Sequence, residues 1–373
     1  MVLNPESSLR PLAVLATLSF AALAVSAQPR YFVTDLGRLP GSDACWATGL
    51  NDRGDVVGYC APAAENFNQT GFVWRNGTMT RTGLLPDGNY SIATSINNVG
   101  TVVGDGDTGN FRPQSWVLKD GKLVKFFPNN GGNTHALFVA DAGWIGGYYT
   151  KSLSGWTSSW KGAIWTQDQK DPRKWRLTDL PVLPGGIDPK SSSSIPWAFN
   201  QRGQAAGYAS NDQIGQHAAL WNADAARSIV DLGVFPGDWS SLANGISDLG
   251  HVVGSSHPPF GSRPVLWNID AARTPIELPV LPGDNQGSAT AVNKLVQVLG
   301  SSWYGTPGTW DRTEGRTVLW RDGAVYPLQE LLDPLTGGGC TVRAATAINN
   351  VGQITAAAVC DGSLRAVLLT PLS

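Results

Sequence analysis

The chain has 373 residues, a net charge of −2 and only 15% charged residues, against 44 Gly, 24 Pro and 15 Trp. That charge balance argues against a nucleic-acid partner held by phosphate neutralisation. Abundant turn residues and aromatics, with no helical periodicity, predict an all-β chain with many tight turns.

At the N-terminus, Arg10 is followed by an apolar run from Pro11 to Val25 and then by Ser26 and Ala27. This pattern predicts a secretory signal peptide over 1–27, cleaved near Ala27. An N-terminal anchor is the alternative, but the run is short for a membrane span and no second apolar stretch approaches spanning length. The expected mature protein is one domain, 28–373, secreted to the periplasm or beyond the cell.

Tyr31 to Gly37 reads as a strand with no partner near it in sequence. Next comes a hairpin turning at Asn51 and Gly54. Cys45 lies six residues before that Asn and Cys60 six residues after that Gly, so the two face each other across the hairpin. This hairpin is the first of seven copies of one segment, starting near Ala47, Ala93, Ala136, Ala198, Ala243, Ala289 and Ala345. The turn Asn falls at Asn51, Asn97, Asn200, Asn293 and Asn349, with Ala140 and Ser247 in the other two copies. Steps of 43 to 60 residues between copies mean one supersecondary unit stacked many times.

The second copy shows the unit. Ser91 to Ile96 is a strand, Asn97 to Gly100 a turn, and Thr101 to Gly104 the second strand. After a loop, Ser115 to Lys119 is the third strand. Asp120-Gly121, a strong two-residue hairpin signal, turns it into a fourth, Lys122 to Phe127. The third strand usually ends in Trp: Trp74, Trp165, Trp221, Trp267 and Trp320, with Leu118 and Leu369 elsewhere. A bulky residue recurring at one strand position predicts a packing anchor. That strand often starts with a base (Lys161, His217, Arg263, Arg316, Arg365), and the opposing position carries Asp179, Asp231 or Glu277. Arg316 faces the region of Gln329 and Glu330. For Arg365 the acid would be Asp35, from the far end of the chain. Cross-strand ion pairs are expected, each worth about 0.2–1 kcal/mol; a cationic ring for an anionic ligand is the other reading.

The last copy holds Cys340 and Cys360, which oppose each other with a one-residue offset. In an oxidising compartment Cys45–Cys60 and Cys340–Cys360 would form; Cys45–Cys360, between neighbouring units, is the alternative. The chain then ends on a third strand, Arg365 to Thr370, lacking a fourth. Tyr31 to Gly37 would supply it if the array closes into a ring. The reading is therefore all-β: a seven-bladed β-propeller of four-stranded blades, closed by the N-terminal strand completing the last blade. A linear solenoid would leave both edges open.

Three phrases recur: Asp-Leu-Gly-x-Leu-Pro-Gly, Ala-x-x-Ile-Asn-x-x-Gly-x-Val-Val-Gly, and a base followed by Ala-x-Leu-Trp, as in His217 to Trp221. Together they resemble the probable extracellular repeats of the HAF family over nearly all of 28–373. Only His217-Ala218 keeps the first letters of the triplet that names the family, and Val296 replaces a turn Gly. The resemblance implies secreted bacterial proteins and carries no catalytic residues.

The four His (His135, His217, His251, His257) lack metal-ligand spacing, and no nucleophile elbow or phosphate loop is present, so no metal, cofactor or catalytic residue is expected. Asp105 to Asn110 has a faint likeness to a calcium loop but reads as a turn. The loops expected to gather on one face are rich in aromatics beyond the packing set. Trp46, Tyr90, Trp156, Trp160, Trp197, Trp239, Trp303 and Trp310 are the candidate ligand-binding residues, because flat rings suit sugar rings or partner side chains. The functional expectation is a secreted, monomeric binding module for a polysaccharide or an extracellular protein. The alternatives are a carbohydrate-active hydrolase or lyase using carboxylates among Asp43, Asp87, Asp238 and Asp284, and a structural surface or matrix protein.

Overall fold

The computed structural model describes residues 30–372 apart from 63–67, 110, 127–131, 151–159, 172–173, 186–191, 212 and 269–272. The signal peptide and Trp156 lie outside the described residues. No helix among those described is long and apolar enough to cross a membrane.

The architecture is all-β. Five sheets have four strands each and one has eight. Within each sheet the strands run antiparallel in chain order. Ala44–Leu50, Val56–Ala61, Thr70–Arg75 and Thr78–Arg81 form the first sheet. The eight-stranded sheet is two such units joined by one parallel bridge, Lys161 to Ser194. The last sheet takes its fourth strand from the other end of the chain, Tyr31–Asp35 pairing antiparallel with Ser363–Pro371. Besides a 3-10 turn at Leu328–Leu331, one α-helical turn, Pro334–Gly337, departs from the strand-only expectation. Asp333 caps it by accepting from the Leu335 and Thr336 amides, and Pro334 presets its first turn. It holds the N-terminal strand, since Thr336 Oγ1 accepts from the Val33 amide at 3.0 Å.

Every first strand carries one β-bulge just before its turn, as at Ala47/Gly49, Ala136/Phe138 and Pro196/Ala198. The registers place Pro196, not Ala198, opposite the glycine that Ala47 faces in the first copy; the fourth copy starts two residues earlier than the sequence reading put it. The bulge also explains the Gly of Val-Val-Gly. A Cβ on Gly58 would come within 2.0 Å of the Trp46 carbonyl oxygen, and one on Gly147 within 1.9 Å of that of His135. The seventh copy has Ala356 there, and only its first strand has a second bulge, at Val342/Ala344. That second bulge also absorbs the one-residue offset between its cysteines. Val296 holds the left-handed conformation of the glycine it replaces, at φ 59°, a strain the fold imposes on a β-branched residue.

Two tiers of buried hydrogen bonds join unit to unit. The inner tier is the turn Asn. Its Oδ1 caps its own turn, as Asn51 does for the Arg53 and Asp55 amides. Its Nδ2 reaches the next turn: Asn51 to the Asn97 carbonyl, Asn97 to Ala140, Asn200 to Ser247, Asn293 to Asn349, and Asn349 back to Asn51, all at 2.8–3.0 Å. The copies with Ala140 and Ser247 have no amide to give. They keep links that copies with the Asn also make: the Asp141 amide donates to Gln201 Oε1 as the Asp52 amide does to Asn98 Oδ1, and Asn244 Nδ2 donates to the Ala289 carbonyl as Thr48 Oγ1 does to that of Ala93. The outer tier is a buried hydroxyl near the start of four of the first strands. Ser91, Thr134, Ser194 and Ser241 accept from third-strand amides of the preceding unit. Each group taken from water is thereby satisfied.

The Trp anchors are buried at Trp165, Trp221, Trp267 and Trp320. Where Leu118 takes the anchor position, Trp116 fills the same face two residues earlier; Trp74 is only half-buried, and Phe72 does the same for it. Trp221, Trp267 and Trp320 donate their indole N–H to the carbonyls of Pro181, Leu232 and Pro279, which follow or end the fourth strand of the preceding unit. Two of the recurring phrases therefore meet across each of these junctions.

The expected partners meet at His217–Asp231 (3.0 Å), Arg263–Glu277 (3.3 Å) and Arg365–Asp35 (3.9 Å). Two expectations are corrected. Asp179 accepts from the Tyr149 hydroxyl instead of pairing with Lys161, and Arg316 pairs with Asp284 at 2.8 Å, not with the region of Glu330. In both cases a side chain from an adjacent strand or loop reaches the charged group first.

The disulfides are Cys45–Cys60 and Cys340–Cys360, each across its own hairpin, which rules out the Cys45–Cys360 alternative. They close loops of 15 and 20 residues, worth about 3 kcal/mol each by restriction of the unfolded chain. Reductant is expected to lower the midpoint of thermal unfolding by at least 5 °C, roughly the shift such a loss implies for a large domain. An unchanged melt with all four thiols shown to be free would refute this.

Candidate functional site

The strand registers put the starts of the first and third strands and the ends of the second strands on one face. The Asn turns lie on the other. A cavity of about 280 Å³ sits where the first strands converge. The bulged residues Thr48, Thr94, Leu137, Trp197, Asn244, Thr290 and Thr346 line it, because a bulge turns its extra residue out of the pleat, and so do Asn51, Asn97, Ser247, Asn293 and Asn349, so it reaches the turn face.

The eight aromatic candidates divide into groups. Trp160 and Trp197 come together through Tyr148, whose ring centroid is 5.3 Å from Trp160 and 5.9 Å from Trp197, both edge-on. Tyr208 extends the row, 6.3 Å beyond Trp197. Trp197 is a strand residue, not a loop residue: it is the bulged position of the fourth unit and is 42% exposed at the cavity. Trp46 stacks on Tyr59, directly opposite in register, at 5.1 Å. Tyr90 is half-buried. Burial, then the charges of Asp105 and Asp107, raise its hydroxyl pKa above the usual tyrosine value. Trp239 is 69% exposed, and its amide donates to the His257 carbonyl. Trp303 and Trp310 meet at a second cavity of about 360 Å³. Trp303 is its buried floor, fixed by Nε1–H donating to Gln286 Oε1, and Trp310 is a 74% exposed wall.

The acids proposed from sequence have structural duties. Asp238 accepts from Ser256 Oγ at 2.6 Å and lies 3.5 Å from Arg263. Asp284 accepts from Ser302 Oγ at 2.6 Å beside Arg316. Asp43 and Asp87 are exposed, Asp87 in a left-handed turn conformation. Asp107 organises its loop. Burial pushes its carboxyl up, but donation from Asn89, Phe111 and Tyr90 outweighs this and holds it below the usual range.

Sequence reasoning missed Asp105. It is buried and accepts from His135 Nδ1 at 2.8 Å, from the Ala136 amide and from Ser115 Oγ. His135 stacks on Tyr148 at 4.7 Å, so this pair supports the aromatic row from beneath. Tyr148 is pushed up to about 12 by burial, then by the Asp105 charge, so it stays a neutral donor. The one available signal was an Asp following Val-Val-Gly where the other copies carry Ser, Tyr or, in the seventh, Ala. Asp105 is a strand residue rather than part of a calcium loop, and among the described residues no group of three or more His, Cys, Asp or Glu could hold a metal ion.

No protein-family model matches the chain, and no curated protein matches it. Solved structures do resemble it. The β-propeller domain of the Trilobed protease from Pyrococcus furiosus is 11% identical, with 88% of this chain and 98% of that chain covered and a TM-score of 0.51. Virginiamycin B lyase from Staphylococcus aureus is 13% identical over 92% of this chain and 100% of that chain, with a TM-score of 0.51. YCF48 bound to D1 peptide is 12% identical over 92% and 97%, again at 0.51. At such identity the likeness is one of fold.

Proposed function

We propose that the chain is a secreted, seven-bladed β-propeller of HAF-like repeats whose loop face binds a polysaccharide without transforming it. The blade count rests on dividing the eight-stranded sheet at its single parallel bridge. Secretion is supported by the two disulfides. One observation carries the binding reading: four aromatic rings, Trp160, Tyr148, Trp197 and Tyr208, follow one another at 5.3–6.3 Å, and Trp197 among them lines the central cavity. Partly exposed rings in a row offer flat apolar faces to successive sugars.

The test is a polysaccharide binding panel with Trp160→Ala/Trp197→Ala beside the wild type. Saturable binding is expected, weakened at least tenfold in the double variant, while the melting temperature stays within a few degrees. Absence of binding at millimolar ligand refutes the reading. Asp105 fixing His135 through Nδ1 is also the arrangement of an oriented base. The same panel is therefore read for chain shortening, and cleavage abolished by His135→Ala would replace the binding reading with an enzymatic one.

A further inference from the structure

The second cavity, about 360 Å³ between the fifth and sixth units, has a chemistry of its own. Its floor is the buried Trp303 ring, and the Arg312 guanidinium lies over that ring, 5.1 Å from the centroid. Most arginines that begin or flank a third strand are neutralised: Arg263 by Glu277 and Asp238, Arg316 by Asp284, Arg365 by Asp35. Arg312 has no carboxylate partner among the described residues. Asp311 lines the same cavity but makes no ion pair with it. Stacking on an aromatic face orients a guanidinium while leaving its N–H donors in the ring plane free for a ligand.

The remaining walls suit a sugar. Trp310 is 74% exposed and braced by Phe260 at 5.4 Å, so one ring face is free. Gln286 and Ser288 bring neutral polar groups. His257 adds no positive charge at neutral pH: burial lowers its pKa below the usual histidine value, against a smaller opposing effect from Asp238. Among the described residues Arg312 is therefore the one cationic group lining the cavity.

We propose that this cavity is a subsite for an anionic sugar, its carboxylate or sulfate held by Arg312 and its ring stacked on Trp310. The inference rests on the polysaccharide-binding reading and adds the charge class of the ligand. A planar guanidinium recognises either anion by paired hydrogen bonds.

The experiment compares binding of the whole protein to polygalacturonate, dextran sulfate and uncharged dextran, with Arg312→Gln and Trp310→Ala. Both side chains are exposed, so neither change should disturb folding, and thermal melts check this. Wild type is expected to favour an acidic polymer over dextran at least tenfold. Arg312→Gln should cost roughly 10- to 100-fold on that polymer, as for a charge-assisted bond, and leave dextran binding unchanged. Trp310→Ala should weaken binding to both kinds of polymer. Preference for polygalacturonate assigns a carboxylate, and preference for dextran sulfate a sulfate. Equal affinity for dextran, or an acidic preference that survives Arg312→Gln, overturns this inference and leaves the binding reading standing. Binding to no polymer removes both.

Discussion

Trp221→Ala is expected to lower the unfolding free energy by about 3–5 kcal/mol, the range for deleting a large aromatic side chain from a packed core. The indole is fully buried in the core that joins the third and fourth units. Its Nε1–H donates to the Pro181 carbonyl at 2.8 Å, so truncation opens a cavity and also strands an acceptor. Trp74→Ala, at the matching position of the first unit, should cost far less. Trp74 is half-buried, and Phe72 fills the core there. Urea unfolding of both variants checks the pair. Equal losses would mean that the recurring Trp is a generic strand residue and not a junction anchor.

Asn349→Ala should cost on the order of 2–4 kcal/mol, because it leaves several buried groups without partners. Asn349 Oδ1 accepts from the Val351 and Gln353 amides, and its Nδ2 donates to the Asn51 carbonyl, 298 residues away in the chain. Asn349→Asp separates the two duties, since it keeps the turn acceptor and loses the donor. If the link between the last and first units matters, Asn349→Asp should retain more than half of the alanine loss, measured by denaturant unfolding at neutral pH. Wild-type stability in Asn349→Asp would reduce the residue to a turn cap.

A turn Asn and a turn Gly are common for local reasons, so the sequence alone read Asn51, Asn97 and the rest as turn markers. The structure gives each a second duty in the next unit. The two exceptions, Ala140 and Ser247, lack that bond and are joined to the next unit by contacts that the other copies make as well. The Gly of Val-Val-Gly was likewise visible as a repeat without a cause. Its cause is the bulge, which brings a carbonyl within 2.0 Å of where a Cβ would stand.

The sequence by itself determined the all-β class, the order of strands in a unit, the pairing of Tyr31–Asp35 with the last unit, and both disulfides. The class, the strand order and the disulfides follow from local periodicity, turn chemistry and hairpin register, and the terminal pairing from the strand missing at each end of the repeat array. It also marked residues as aromatic and outside the packing set. Only the tertiary structure decided which of them meet: Trp160 with Trp197 through Tyr148, and Trp303 with Trp310 under Arg312. It also turned Asp238 and Asp284 from candidate acids into partners of arginines and serines. The physical reason is distance along the chain. Strand patterning repeats every two residues and hairpin register acts over a few, whereas Trp197 reaches Tyr148 only when two sheets pack side by side, and Trp310, Arg312, Asp238 and Asp284 sit in loops whose paths no strand pattern dictates.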